Sequence, residues 1–168
     1  MEFFRAPEAL QLQHEKIREK LNQAIGEGGK IAKSAKKLAA VLRPHVAKEE
    51  AFGLPALGLL PHLIAGKISP VMRGVIAMTD GLKEQYQEML AEHEEIIAAI
   101  HELMDAAREE NKPEYVLFAH KMILHARTEE QVFYPAAILI GEYLKLKLAA
   151  DERVHVQETF DQIEFRFR

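Results

Sequence analysis

Four histidines and two glutamates have the residue types and the spacing to bind metal ions together. They are His14, His45, Glu49, His93, His125 and Glu129. Two of the histidines are followed four residues later by one of the glutamates, and residues four apart lie on the same face of a helix. Each His-x-x-x-Glu pair can therefore direct an imidazole and a carboxylate to one point, as a nitrogen- and oxygen-ligated metal site requires.

The second half of the chain repeats the pattern of the first half. The segment HVAKEEAFGLPA at 45–56 matches HARTEEQVFYPA at 125–136 with an offset of 80 residues, and HEKI at 14–17 matches HEEI at 93–96 with an offset of 79. Each half thus has a helix with one histidine, followed by a helix with His-x-x-x-Glu. Two such hairpins packed about a pseudo-twofold axis predict an all-α, up-down-up-down four-helix bundle with the six polar residues at its centre.

The apolar surroundings of the six residues argue for bound cations. Each residue falls in the apolar stripe of its helix, where a carboxylate without a partner would be strongly destabilising. Two divalent or trivalent ions would neutralise Glu49 and Glu129 and leave every histidine neutral. Imidazole and carboxylate ligands suit iron, manganese and zinc alike, so the ligands by themselves leave the identity of the metal open.

The order of these motifs resembles the hemerythrin-like (HHE cation-binding) family over about residues 10–136. The resemblance implies a hemerythrin-like bundle that holds two iron ions, Fe2+ or Fe3+, with a bridging oxo or hydroxo group. It implies that the two ions share two bridging carboxylates, Glu49 and Glu129. It also implies one pair of histidines for each ion, His14 with His45 and His93 with His125.

One position departs from the pattern of the oxygen-carrying hemerythrins. Those proteins place a further histidine one turn after the ligand in the third helix, and the equivalent position here is Ile97. The centre would then have one nitrogen ligand fewer and more open coordination positions. Reaction with a bound molecule is therefore favoured over simple dioxygen carriage.

The apolar period, glycines and prolines predict four main helices and one domain. The helices are expected over about residues 7–26, 30–53, 82–111 and 113–135, with Pro135 kinking or ending the last. The domain is expected to cover 1–150, with residues 56–80 as a segment that could form an inserted lid. Residues 138–149 are expected to continue as a helix. Within a C-terminal tail at 151–168, residues 154–168 could be a loop, a short strand or a partner-binding arm.

The composition excludes several classes of protein. The 168 residues include 22 basic and 26 acidic side chains, carry a formal net charge of −4 and contain no cysteine. Disulfides, thiolate metal sites and iron–sulfur clusters are therefore excluded. No dense basic cluster suggests a nucleic acid partner, and no apolar run approaches the roughly 18 residues of a membrane span. We expect a cytoplasmic protein that binds neither nucleic acid nor membrane.

Several residues near the six candidates are assigned no ligand role. Glu50 and Glu130 follow the bridging carboxylates, but an adjacent helix position points about 100° away, so solvated or outer positions are expected for both. Tyr86 precedes His93 by seven residues and is expected to pack in the core. The remaining histidines have no counterpart in the repeat and are expected to be structural or exposed; they are His62, His101, His120 and His155.

Three kinds of function fit these features. The first is a non-haem di-iron protein that binds or reacts with dioxygen, peroxide or nitric oxide; as an enzyme it would be an oxidoreductase that consumes peroxide or nitric oxide. The second is an iron- or oxygen-responsive sensor without catalysis, and the third is iron storage or delivery, including the repair of iron centres. A homodimer or a redox partner protein is compatible with each. The ferritin-like class is a weaker rival, because its helices carry Glu-x-x-His instead.

Overall fold

The computed structural model describes residues 4–166, with side chains described for residues 4–150. Every regular element in this range is helical, and the prediction of an all-α fold is confirmed. The α-helices are α1 (Glu8–Gly26), α2 (Gly29–Lys48), α3 (Leu60–Ile64), α4 (Arg73–Glu84), α5 (Tyr86–Glu109), α6 (Pro113–Thr128) and α7 (Tyr134–Arg166). Shorter helical turns are Glu49–Gly53, Pro55–Leu59, Pro70–Met72 and Glu129–Phe133.

Local backbone chemistry sets the ends of the two hairpins. The turn between α1 and α2 uses Gly28 at φ 85° and Gly29 at φ 61°, in the left-handed region that glycine adopts without steric cost. Between α5 and α6, Asn111 takes φ 54°, and Pro113 then occupies the first position of α6. Both turns lie where the sequence predicted them.

The four helices of the repeat pack around a first hydrophobic core. Helix α1 contacts α2 and α6, and α5 contacts the same two helices, so the four form a closed ring. The buried side chains of this core include Leu21, Leu38, Ile100, Leu103 and Met122. One apolar stripe from each helix faces this interior, as the spacing of the apolar residues predicted.

A second hydrophobic core lies beyond the first and is built by the long connection together with α7. Helix α4 contacts α7, and the Pro55–Leu59 turn contacts α7 as well. Leu57, Val75, Leu82, Ile140 and Leu144 are buried in this second core. Residues 56–80, which the sequence suggested as a lid, therefore contribute buried side chains to the interior.

Three features of the chain differ from the prediction. The region before Leu82 is a separate helix, α4, which breaks at Gln85 before α5 begins. Pro135 does not end the fourth helix, because a wider helical turn precedes it and the backbone stays helical from Tyr134 onward. A loop or strand over 154–168 is wrong as far as Arg166, since α7 runs across residue 150 to that point. The partner-binding role and the domain boundary stay predictions, and residues 167–168 lie outside the described range.

Within the described residues, none of the helices is both long enough and apolar enough to span a membrane.

Candidate metal centre

Each His-x-x-x-Glu motif lies where an α-helix widens into a π turn. Helix α2 passes into the turn Glu49–Gly53, and α6 passes into the turn Glu129–Phe133. In both turns the backbone N–H five residues after the glutamate donates to the carbonyl oxygen of that glutamate. Such turns are rare and occur often at functional sites. Because the two π turns lie at equivalent positions in the two halves, the repeat is present in the backbone conformation as well as in the sequence.

The six predicted residues come together in the interior of the helical ring. His14, His45, Glu49, His93 and Glu129 are each only 1–2 % exposed. The side chain of the remaining residue, His125, is 16 % exposed and lies at the edge of the centre.

These residues form two groups whose ligand atoms are close enough to share an ion. The inner group consists of His45, Glu49 and His93, all buried, and the outer group consists of His14, His125 and Glu129. The ring centroids of His45 and His93 are 4.5 Å apart, and those of His14 and His125 are 5.2 Å apart. The facing rings are therefore not the pairs that the resemblance implies, which stay a prediction. Facing rings come from α2 with α5 and from α1 with α6, so each group combines the two halves of the repeat.

Glu49 presents one carboxylate oxygen to each group. Its Oε1 lies 3.4 Å from Nε2 of His45 in the inner group, and its Oε2 lies 3.6 Å from Nε2 of His14 in the outer group. One carboxylate thus faces both positions at which an ion could be held.

Glu129 also presents one carboxylate oxygen to each group, with Oε1 in the outer group and Oε2 in the inner group. Its Oε1 lies 3.0 Å from Nε2 of His125 and 3.3 Å from Nε2 of His14, both in the outer group. Its Oε2 lies 3.6 Å from Nε2 of His93, in the inner group. The two carboxylates are therefore related by the pseudo-twofold symmetry that the repeat predicted.

Three of the four histidines are oriented by a further carboxylate at the outer ring nitrogen, Nδ1. Glu50 lies 3.3 Å from Nδ1 of His14, Glu92 lies 2.7 Å from that of His45, and Glu130 lies 3.0 Å from that of His93. A carboxylate only accepts hydrogen bonds, so each Nδ1 carries the proton. In the neutral imidazole, Nε2 then directs its lone pair into the centre, as a metal-binding histidine does.

Glu50 and Glu130 are held outside the centre, as the sequence predicted. The guanidinium of Arg18 donates to Glu50 over 3.0 Å, and Lys48 forms an ion pair with Glu92. Burial tends to raise the pKa of Glu92, but Lys48 and His45 together hold it below its ordinary value. Glu92 therefore stays charged and raises the basicity of the His45 imidazole that it contacts.

The charges of the centre perturb its titratable groups. Burial by itself lowers the pKa of His14 and of His45, but hydrogen bonds and charge from Glu129 and Glu49 raise both pKa values above the ordinary value. The pKa of His93 is lowered, by burial and by the neighbouring His45. Burial opposes ionisation of Glu129, yet hydrogen bonds from His125 and His14 lower its pKa to about 2. In metal-free protein Glu129 therefore favours its ionised form, and His14 and His45 hold protons more strongly than a free imidazole does.

A small cavity lies beside the six residues. Its volume is about 20 Å³, and its apolar lining includes Ile17, Leu42, Ile96 and Met122. Because a water molecule needs roughly 10–15 Å³ by the same measure, the cavity holds one small molecule. The half-buried Ile97 does not line it, whereas the adjacent Ile96 does. The position that the resemblance singled out on the third helix of the bundle is therefore displaced from the cavity.

A groove between α1 and α6 leads to the outer group. It has a volume of about 710 Å³ and is lined by both helices. Ile17, Met122 and His125 line the groove and the small cavity alike, so the two spaces adjoin. This explains why His125 is the most exposed of the six residues.

Sequence reasoning missed Tyr134, which is fully buried beside the inner group. Its hydroxyl donates a hydrogen bond to Oε1 of Glu49 and lies 3.3 Å from Nε2 of both His45 and His93. In an α-helix the residue five positions after Glu129 would point about 140° away, but the π turn returns it to the same side. The motif FYP at 133–135, which replaces GLP at 53–55 in the repeat, is the one signal in the sequence.

The other histidines stay outside the centre. His62, His101 and His120 have exposed side chains, as the sequence predicted. The side chain of His155 lies outside the described ones. Tyr86 is half-buried beside the second core, and its hydroxyl donates to the backbone oxygen of Glu130 over 3.4 Å.

Histidines and carboxylates gathered inside a ring of helices define a metal-binding, all-α domain. The sequence model of the hemerythrin HHE cation binding domain matches residues 5–137, which include α1 to α6 and both π turns. The chain belongs to this family, and the resemblance seen in its motifs is confirmed. Comparison with curated proteins and with solved structures gave no match.

Metal-free protein should lose stability as the pH rises above about 6.5. Because the pKa values of His14 and His45 are raised on folding, the folded protein binds protons more tightly than the unfolded chain. This contribution to the free energy of unfolding is complete below pH 6.5 and is lost as the pH passes upward through the raised values. Urea unfolding of chelator-treated protein from about pH 6 to about pH 9 measures the loss.

The lowered pKa of His93 acts below pH 6.5 and does not affect this window. His14→Gln should weaken the pH dependence, whereas the matched change at an exposed histidine, His101→Gln, should keep it. A metal-free wild-type protein whose free energy of unfolding stays constant or increases over this window would contradict the electrostatic account of the centre.

Proposed function

We propose that this is a non-haem di-iron protein that binds or reacts with a small oxidant such as dioxygen, peroxide or nitric oxide. The observation that carries the proposal is that Glu49 and Glu129 each present one oxygen to the inner group and one to the outer group. Such carboxylates are suited to bridge two ions that are each held by two histidines. Membership of a cation-binding family supports the same reading.

The donor set fits two cations better than it fits protons alone. With the histidines neutral, inward lone pairs from three of them meet four carboxylate oxygens in a dry interior, so acceptors outnumber donors. We assign two iron ions, Fe2+ or Fe3+, with a bridging oxo or hydroxo group, and the same ligands also fit manganese or zinc. When bound, a redox-active pair supplies electrons to a small oxidant or accepts them from it. The up-down-up-down bundle is part of this proposal.

The chain's own residues select what can reach the centre. All six residues line the cavity of about 20 Å³, so bound ions would fill it, and the apolar side chains around it exclude bulk water. The adjoining groove between α1 and α6 supplies the approach, past Ile17 and Met122. Peroxide or nitric oxide would be the substrate if the protein is an enzyme. A cytoplasmic location, a homodimer and a redox partner protein stay predictions.

The first test is the metal content of the protein. We expect two iron ions per chain in protein expressed with ample iron and purified without oxygen, because the six residues form two groups rather than one. His45→Ala should lower the content by at least one ion, while His120→Ala, at an exposed histidine outside the centre, should not. Elemental analysis that finds a single ion, or zinc alone, in the wild-type protein would overturn the di-iron assignment.

The second test uses the carboxylate behind His45. Glu92→Ala should weaken metal binding about 10–100-fold, since it removes the group that orients the imidazole and raises its basicity. Glu88→Ala is the matched control, because Glu88 contacts the same lysine, Lys48, over 2.6 Å but none of the six residues of the centre. Competition with a chelator of known affinity measures both variants. Equal affinities for the two would show that Glu92 does not support the centre.

A second candidate function, iron delivery, is favoured by the weak support of His125. Its counterpart in the repeat, His45, is oriented by Glu92, and the residue that corresponds to Glu92 in the first half is Gln13. Gln13 and His125 both line the open groove. An ion in the outer group would therefore exchange more readily than one in the inner group.

Replacement of Gln13 by a carboxylate tests this difference. Wild-type protein should lose its iron to a mild chelator in two phases, with about one ion released in the fast phase. Gln13→Glu should slow the fast phase, whereas Gln23→Glu, at another residue of the same groove, should leave it unchanged. Release of both ions in one phase would argue against iron delivery and would leave the reaction with a small oxidant as the better reading.

A further inference from the structure

We propose that the hydroxyl oxygen of Tyr134 is a further protein ligand of the ion in the inner group, beside His45, Glu49, His93 and the bridging Glu129. The inference rests on the proposed metal centre and goes beyond it, because none of the six residues of the HHE pattern is a tyrosine.

Three distances between four of these donor atoms fit one shared ion. The hydroxyl oxygen of Tyr134 lies 3.3 Å from Nε2 of His45 and 3.3 Å from Nε2 of His93, and Nε2 of His45 lies 3.4 Å from Oε1 of Glu49. Ligand atoms bound to one ion at about 2.0–2.2 Å are separated by about 2.8–3.1 Å in octahedral and about 3.3–3.6 Å in tetrahedral geometry. The hydroxyl is closer than this to Oε1 of Glu49, to which it donates a hydrogen bond, so binding of an ion would replace that hydrogen bond. The two distances from the hydroxyl to nitrogen are equal and longer than most hydrogen bonds, as common coordination would produce.

Hydrogen bonding alone leaves this cluster short of donors. A histidine binds an ion only when its ring is neutral, and because Glu92 and Glu130 face Nδ1 of His45 and His93, Nε2 of each neutral ring is an acceptor. A carboxylate oxygen of Glu49 is a third acceptor beside the same hydroxyl. The phenol of Tyr134 has one proton to donate to these three acceptors. A cation among the four atoms satisfies all of them at once.

The side chain of Tyr134 carries one phenolic proton, which it donates to Glu49 in the absence of an ion. When the oxygen binds a ferric ion, its proton passes to the solvent and the phenolate contributes one negative charge to the ion. No oxidation or reduction accompanies this exchange.

The tyrosine would make the two ions unequal. Its counterpart in the first half of the repeat is Leu54, so the outer group has no equivalent phenol. The inner ion would have protein ligands from five side chains, while the outer ion keeps its open positions beside the groove. A small oxidant would therefore bind first to the outer ion.

Optical and vibrational spectra of the ferric protein test the proposal. Protein loaded with two iron(III) ions should show a visible phenolate-to-iron charge-transfer band, and resonance Raman excitation within it should enhance phenolate ring modes. Tyr134→Phe should lose the band and the ring modes while keeping its iron. Tyr86→Phe is the matched control, because that tyrosine lies nearby, with ring centroids 6.5 Å apart, but its hydroxyl contacts a backbone oxygen.

Each outcome decides the matter. Loss of the signals in Tyr134→Phe alone supports the proposal. Two bound iron ions without a phenolate signal in the wild type would overturn it, would assign Tyr134 to a hydrogen bond with Glu49, and would leave the di-iron function intact. A signal that persists in Tyr134→Phe would overturn it too. Protein that binds no iron under these conditions would refute the proposed function together with this inference.

Discussion

Two ionised carboxylates in an apolar interior are the constraint on which the rest of the molecule depends. Glu49 and Glu129 are 1–2 % exposed, so their charges must be compensated within the protein. Four histidines surround them, and three of those are in turn fixed by carboxylates nearer the surface. Two of these outer carboxylates form ion pairs with cations in turn, Glu50 with Arg18 and Glu92 with Lys48. Charge therefore alternates in layers from the centre to the solvent, and each layer fixes the orientation of the layer inside it.

The two hydrophobic cores of the protein are arranged around this charged centre. The first core surrounds one side of the carboxylates and the second core covers the other, where Tyr134 joins the polar centre to the apolar packing of α7. A protein with an interior of this kind is stable only when the six residues are compensated together. Binding of cations and folding are consequently linked, as they are in other metal centres built from buried ligands.

The sequence predicted the six central residues because an internal repeat gives each of them a partner at a fixed offset, and helical spacing places each pair on one face. The pairing of the histidines does not follow from the repeat, since it depends on which rings face each other across neighbouring helices. The same reasoning failed for Tyr134, because a regular helix would point this side chain away from Glu129 and only the π turn brings it back. The sequence predicted a helix over 138–149 but not the break that makes α4 a separate helix, because α4 packs against α7, which is far from it in the chain.

The π turns have a consequence for how such a centre could arise. A π turn amounts to one residue inserted into an α-helix, which rotates everything beyond it by about 100° relative to the preceding turns. In the second half of this chain, the residues beyond the turn form α7 and carry the buried phenol. A deletion of one residue within 131–133 would leave the net charge and the six histidines and glutamates unchanged. It would nevertheless rotate the tyrosine and the apolar face of α7 out of register, so this part of the protein tolerates substitution better than a change in length.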